Sequence, residues 1–325
     1  MNLLFRDEEA FWAEYQNEPM DTSEENTREL TFDEILARGN KLKRRRVPDE
    51  CSHLTAFIDV SEKVLWWMVC AWGDGFTGAI VDFGVWPDQK TNYVTLRSVK
   101  KSMKQLHPGS GFEAALLKSL EELSTEILDR EYHNESGTAM NVDRCLIDAN
   151  WGQSTEIIYQ FCRRSQWKNI LYPSHGVGIT ATKKPLVDPT TKKRRGETRG
   201  DQWIIAKGRG QMKLRFDTNY WKTHVANRLS VAVGDPGALT LFEDRPSVLR
   251  MLAEQLTSEK SVTVEAAERK VDQWELKKPG LDNHFWDALT GCAVAASIEG
   301  VAIKEKPSTA GRRGRSVVRL SELGA

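Results

Sequence analysis

The sequence of 325 residues contains little cysteine. Its five cysteines are odd in number, and none of them forms a C-x-x-C pair. A disulfide framework and a cysteine-based zinc site are therefore not expected, and the cysteine usage favours a reducing, cytoplasmic setting. The cysteines are Cys51, Cys70, Cys145, Cys162 and Cys292.

Long apolar runs and nucleotide-binding fingerprints are also missing. The apolar runs 64–72 and 288–298 are too short to span a bilayer, and the acidic N-terminus is unlike a signal peptide. No G-x-x-x-x-G-K-[ST] motif and no dinucleotide fingerprint are present. The sequence therefore predicts a protein that is neither secreted nor membrane-spanning and has no P-loop ATPase motif.

Acidic and basic residues balance at 46 each, but they are unevenly distributed. Residues 7–34 are strongly acidic, with Arg28 as their one base, which predicts that 1–50 is an acidic, solvated arm with a helix around 32–41. Beyond Gly300 the composition turns to Lys, Pro, Ser, Gly and Arg, which predicts a disordered basic tail over 301–325.

Short apolar runs separated by turn residues predict a sheet. The runs 54–60, 64–72 and 77–85 favour an antiparallel meander of three strands. A helix over 112–130, a strand over 142–150, a helix over 153–164 and a short strand over 170–172 follow. This order predicts an α/β fold with a mixed β-sheet, in which the antiparallel meander continues into parallel strands and helices flank the sheet.

The second half predicts a loop, a hairpin and further helices. Residues 174–200 lack apolar periodicity, which indicates a long exposed loop. A hairpin over 203–216 precedes a helix capped by Asp217, and two strands within 262–276 precede a helix capped by Asp282 or Asn283. The loop holds candidate contacts for DNA phosphates, namely Lys183, Lys184, Lys192, Lys193, Arg194, Arg195 and Arg199.

Three acids stand at comparable places in these elements. Asp59 and Asp148 each end an apolar strand, and Asp287 lies in the first turns of the last helix. If the two strands are parallel neighbours, the three carboxylates meet at one sheet edge, where they repel one another unless a cation neutralises them. Hard divalent ions, Mg²⁺ or Mn²⁺, suit such an all-oxygen site, and two of them could drive phosphodiester hydrolysis.

Other polar residues are weaker candidates. Asp282 is the alternative third metal ligand, and His284, one helical turn before Asp287, is expected to support the site. Strand alternation predicts that Asp82 and Asp143 face solvent. His175 could assist metal or phosphate binding, but a solvated loop histidine is the commoner case.

Four segments carry a resemblance to a known family. They are 54–60, 145–152, 216–222 and 282–296, and together they resemble the C-terminal nuclease half of lambda-type (GpA-like) phage terminase large subunits. Residues 11–19 are similar to the segment that joins the ATPase half of that family to its nuclease. The resemblance covers nearly the whole chain.

The resemblance implies an RNase H-like nuclease domain over 51–300 that cuts concatemeric double-stranded DNA during genome packaging in the host cytoplasm. It implies two Mg²⁺ or Mn²⁺ ions at Asp59, Asp148 and Asp287. The partners that it implies are a terminase small subunit, the portal and an ATPase half, to which the arm would connect.

Two other functions are compatible with the sequence. One is a DNA-binding or docking module that keeps the RNase H-like fold without the chemistry, and the other is an RNase H-like resolvase or transposase outside packaging. Convergence of the three acids distinguishes the nuclease from the docking module. The resolvase would share the chemistry but not the segment 11–19.

Overall fold

A nine-stranded mixed sheet forms the centre of the computed structural model, which describes residues 29–208, 211–267 and 269–302. The strands in chain order are β1 (Arg46–Val47), β2 (Cys51–Val60), β3 (Leu65–Gly73), β4 (Gly78–Trp86), β5 (Tyr132–Asn134), β6 (Ala139–Met140), β7 (Arg144–Asp148), β8 (Leu171–Val177), β9 (Glu197–Gly200), β10 (Trp203–Gly208), β11 (Gln211–Asp217), β12 (Leu239–Leu241), β13 (Glu259–Ala266) and β14 (Arg269–Leu276). The α-helices are α1 (Phe32–Leu36), α2 (Met103–Leu106), α3 (Phe112–Leu128), α4 (Thr155–Arg164), α5 (Thr218–Ser230), α6 (Pro246–Leu256) and α7 (His284–Ile298).

The strand order of the large sheet is β12-β4-β3-β2-β7-β8-β11-β10-β9. Strands β2, β3 and β4 form the predicted antiparallel meander, and β7 and β8 continue it as parallel strands beside β2. Two smaller sheets, β1-β5-β6 and the hairpin β13-β14, lie outside it. The predicted α/β class is confirmed, and the arrangement is that of an RNase H-like fold.

Helices cover both faces of the central strands, so most residues of these strands are buried and apolar. One face packs against α5, α6 and α7, and it receives Phe57 of β2 and Leu146 of β7. The other packs against α3 and α4 and receives Ile58 and Ile147. Because side chains alternate along a strand, Asp59 and Asp148 belong to the face that α7 covers.

Several segments differ from the prediction. The strand predicted over 170–172 extends to Val177, because the backbone of 174–177 pairs with β11 even though its sequence has no apolar alternation. Irregular chain is therefore confined to 178–196, and 197–200 form the edge strand β9. The first helix ends at Leu36, earlier than predicted, and Ile35 anchors it in the core.

The prediction that Asp82 faces solvent is wrong. Its carboxylate is fully buried on the α3 side of β4, where it accepts hydrogen bonds from Arg44 Nε at 2.5 Å, Arg45 Nε at 2.8 Å and Arg130 Nη1 at 2.9 Å. Alternation assigns a residue to a face of the sheet, but it does not tell whether that face is covered. Asp143, by contrast, stays partly exposed and accepts the Leu54 amide at 2.9 Å.

Most of the predicted acidic arm and basic tail, 1–28 and 303–325, lies outside the described residues. Within the described part, all five cysteines are buried and free. None of the helices in the described ranges is long and apolar enough to cross a membrane.

Candidate active site

The first two acids lie side by side at the end of parallel strands. Asp59 is the penultimate residue of β2 and Asp148 the last residue of β7. The two strands pair in the register Phe57↔Leu146 and Ile58↔Ile147. One step further along each strand, this register brings Asp59 opposite Asp148 on the same face of the sheet.

The third acid is brought to the same place by the packing of α7. Gly291 of this helix lies directly on the ring of Phe57, where a Cβ atom would overlap the ring carbons. Asp287 is one helical turn before Gly291, and Asp59 is two residues after Phe57, so each acid lies on the same face as its contact residue. The contact between Gly291 and Phe57 therefore sets the distance between Asp287 and Asp59.

The electrostatics of Asp148 link the three carboxylates. Burial is the largest cause of its shift, followed by the negative charge of Asp59, and Asp287 adds to both. Backbone hydrogen bonds from Asn150 and Ala149 oppose these effects. The net result raises the pKa of Asp148 to about 8, so a proton neutralises this carboxyl at pH 7 when no cation is present.

His284 supports Asp59 from the start of α7. Its Nδ1 lies 2.6 Å from Asp59 Oδ2, and its ring stacks on Trp66 with a centroid distance of 4.6 Å and an interplanar angle of 9°. Burial alone would lower the pKa of His284, but the hydrogen bond and charge of Asp59 outweigh it and raise the pKa. His284 therefore fixes one oxygen of Asp59, and among the described residues no hydrogen bond to the other oxygen is seen.

Sequence reasoning missed a lysine and a glutamate that contact Asp287. Lys222 Nζ lies 2.8 Å from Asp287 Oδ1 and 2.8 Å from both Glu259 oxygens. Asn283 Nδ2 donates to Glu259 Oε1 at 2.6 Å and to Asp287 Oδ2 at 3.1 Å. The segment 216–222, which carries part of the family resemblance, ends at Lys222 but gave this lysine no role, and no pattern in the sequence around Glu259 pointed to the site.

The weaker candidates have other contacts. Asp282 Oδ2 accepts the backbone amide of Leu96 at 2.7 Å and so fixes the loop after β4. His175 lies on β8, where it contacts the Tyr159 hydroxyl at 2.8 Å and Asn150 Oδ1 at 3.2 Å. Burial, with nearby Lys213 and Arg215, lowers the pKa of His175 to about 4, so it is neutral at pH 7 rather than a solvated loop histidine.

The basic residues of the loop divide into two groups. Arg199 lies on β9, pairs with Glu197 at 2.8 Å and donates to the carbonyls of Thr191 and Lys192, so it stabilises the loop itself. The other six are exposed at the surface. They are Lys183, Lys184, Lys192, Lys193, Arg194 and Arg195.

The donor set fits a hard divalent cation, because three carboxylates gather where burial and the charges of its neighbours raise the pKa of Asp148. As they stand, no three His, Cys, Asp or Glu side chains in the described ranges form a ready metal cage. Both oxygens of Asp287 are instead engaged by Lys222 and Asn283. An ion at the three acids would have to share Asp287 with Lys222.

Gly291→Ala is expected to destabilise the protein, although alanine is the better helix former by about 1 kcal/mol. The added methyl overlaps Phe57, and overpacking of this kind costs about 1–3 kcal/mol. Urea unfolding measures the loss. The double variant Gly291→Ala/Phe57→Leu should recover part of it, and a single variant as stable as the parent would contradict the close contact.

Comparison with known proteins places the chain in a family. A search of curated proteins finds no match. A model of the family described as "Terminase large subunit gpA, endonuclease domain" matches residues 6–307, which is most of the chain. The protein therefore belongs to the family of terminase large-subunit gpA endonuclease domains.

Proposed function

We propose that this chain is a metal-dependent endonuclease that cuts concatemeric double-stranded DNA during viral genome packaging. The observation that carries the proposal is the placement of Asp148 on the same sheet face as Asp59 and under α7, where burial first, and then the negative charges of Asp59 and Asp287, raise its pKa to about 8. A fold gains no stability from like charges held this close. Such an arrangement is typical of a site that binds a cation.

Asp59, Asp148 and Asp287 are the residues that would hold two Mg²⁺ or Mn²⁺ ions. When bound, such a pair activates a water molecule and stabilises the leaving oxygen of a phosphodiester. The chain itself orients the ligands. His284 holds Asp59, and the Asn150 amide donates to Asp148 Oδ1 at 3.2 Å.

The two alternative functions are less well supported. A docking module without chemistry gives no reason for three acids to gather with one held protonated. A resolvase or transposase would share the acids, but the family match favours packaging. The proposed partners follow from that family: a terminase small subunit, an ATPase half of the large subunit and a portal.

Incubation with supercoiled plasmid tests the proposal. Mn²⁺ or Mg²⁺ should support nicking and linearisation, whereas Ca²⁺ should bind without turnover because its looser coordination positions the water poorly. Asp59→Asn is the inactive control. Cleavage that persists in excess chelator, or that is equally fast in the Asp59→Asn variant, would refute metal-dependent cleavage at these acids. DNA binding without any cleavage would favour the docking module.

We propose that the exposed basic loop holds DNA phosphates beside the acids. Replacing Lys192, Lys193, Arg194 and Arg195 by Gln should weaken duplex binding and reduce its salt dependence by a slope of about 0.9 for each phosphate that the loop no longer neutralises. A titration of binding against salt concentration measures both. An unchanged affinity for duplex DNA and an unchanged salt slope would show that the loop does not contact DNA and serves only to keep the protein in solution.

A matched control separates the loop from a general effect of charge. The exposed lysines at Lys100, Lys101, Lys104 and Lys118 lie on or near α2 and α3. Replacing these four by Gln removes the same charge. This control variant should keep an affinity and a salt slope closer to those of the parent.

A further inference from the structure

We propose that Lys222 is a built-in cation of the site, which holds Asp287 in the ion-free protein and competes with a divalent ion for it. In this proposal Glu259 retains the ammonium group when Asp287 turns to the ion. The inference rests on the proposed metal-dependent function. It concerns Lys222 and Glu259 as positioning residues rather than as additional metal ligands.

The contacts of Lys222 leave its ammonium group committed to carboxylates. A lysine ammonium has three donors, and Lys222 Nζ has three carboxylate oxygens at 2.8 Å, one from Asp287 and two from Glu259. Lys222 and Glu259 are each only 7 % exposed. Lys222 is therefore placed to act on the acids of the site and has no donor left for a DNA phosphate.

The charges explain why this lysine stays charged where it is buried. Burial alone would lower its pKa, but the negative charges of Asp287 and Glu259 outweigh burial and raise it. One positive charge lies between two negative charges, so the group of three carries a net charge of −1. Removing the lysine leaves the buried charge of Glu259 uncompensated, which is strongly destabilising, whereas removing one carboxylate leaves a neutral pair.

The geometry of Asp287 explains the competition. Lys222 occupies Oδ1 and Asn283 occupies Oδ2, so an ion that binds Asp287 must share these oxygens or displace the ammonium group. Glu259 contacts the ammonium with both of its oxygens, and Asn283 holds Glu259 at 2.6 Å. Glu259 can therefore keep the lysine in place while Asp287 becomes available.

Two substitutions should change ion affinity in opposite directions. Lys222→Met removes the competing cation, so Mn²⁺ should bind about tenfold tighter or more, although the ion-free protein should unfold at a lower temperature. Glu259→Gln leaves the ammonium attracted to Asp287 alone, so Mn²⁺ should bind about tenfold more weakly or worse. Lys222→Arg keeps the positive charge and should bind Mn²⁺ more nearly as the parent does.

The neighbouring ion pair of Lys260 and Glu275 provides matched controls. It lies on the hairpin β13-β14 with a separation of 3.3 Å and is largely exposed. Lys260→Met and Glu275→Gln make the same charge changes where water screens them. We expect either control to change Mn²⁺ affinity by less than about twofold.

The test is calorimetric titration of the full chain with Mn²⁺, together with thermal unfolding in chelator and in Mn²⁺. Opposite shifts for Lys222→Met and Glu259→Gln support the proposal. If Lys222→Met does not fold in chelator, it is prepared in Ca²⁺. The Glu259→Gln titration then tests the proposal by itself, because this variant should bind Mn²⁺ more weakly than the parent and the Glu275→Gln control. Shifts in the same direction, no shift, or shifts equal to those of the controls would overturn it and leave a purely structural salt bridge.

The failure of this inference differs from the failure of the proposed function. If the parent and Asp59→Asn bind Mn²⁺ equally, or neither binds it, the acids are not a metal site and the nuclease proposal fails first. If Asp59→Asn binds Mn²⁺ more weakly than the parent while the Lys222 and Glu259 variants match the parent, only the role of Lys222 is refuted.

Discussion

Replacing any one of Asp59, Asp148 and Asp287 by Asn is expected to reduce Mn²⁺-dependent plasmid cleavage about a thousandfold. Each substitution removes a negative charge and an oxygen ligand from a site that depends on all three. Initial rates of nicking at saturating Mn²⁺ measure the effect. Asp235→Asn, at an exposed position, is the control and should keep the activity of the parent.

The stability of Asp148→Asn separates loss of chemistry from loss of fold. In the unfolded chain Asp148 ionises around its ordinary pKa of 3.8, whereas in the folded chain without ions it ionises only near a pKa of about 8. The unfolded state therefore binds fewer protons between these values, and the ion-free protein loses stability as pH rises from about 4 to 8. Asp148→Asn should remove this loss and unfold at a higher temperature in chelator at pH 8.

A less stable Asp148→Asn variant at pH 8 would contradict the raised pKa of this carboxyl. A fully active Asp287→Asn variant would contradict the assignment of the third acid. In that case Asp282 becomes the candidate ligand, because it lies close enough to influence the pKa of His284.

Asp82→Ala is expected to lower the free energy of unfolding by about 3 kcal/mol, the largest stability effect that we predict. The substitution leaves Arg44, Arg45 and Arg130 around an empty buried position. Because these arginines are partly exposed to water, we expect a loss near the lower end of the range of about 3–5 kcal/mol that is typical when a buried ion pair is broken. Urea unfolding at pH 7 measures the difference.

Asp88→Ala is the control for Asp82→Ala, since the Asp88–Lys90 pair is exposed and should contribute little. Folded Asp82→Ala should retain the cleavage rate of the parent, because Asp82 lies on the face of the sheet opposite the acids. An unchanged urea midpoint would show that the three arginines do not depend on this carboxylate.

Local patterns were enough to predict the central sheet and to propose the acids. The meander could be predicted because each strand is an apolar run bounded by turn residues, and Asp59 and Asp148 each follow such a run. Asp287 could be proposed from the sequence because it lies in the first turn of a helix whose start is recognisable. Their roles in catalysis stay a prediction until cleavage is measured.

The remaining features depend on contacts between distant segments. Lys222 and Glu259 are separated by 37 residues, and neither sequence neighbourhood signals that the two side chains meet. The extension of β8 depends on pairing with β11, and the burial of Asp82 depends on arginines from two other segments. Such contacts are set by the packing of the whole fold rather than by local periodicity.

Anomalous scattering from Mn²⁺ in crystals of this chain decides whether the three acids form a metal site. We predict bound Mn²⁺ with ligand oxygens from Asp59, Asp148 and Asp287 at about 2.0–2.2 Å, with Lys222 retained by Glu259. Crystals grown at Mn²⁺ concentrations that support cleavage, in which no ion lies between these three carboxylates, would contradict the proposed metal site.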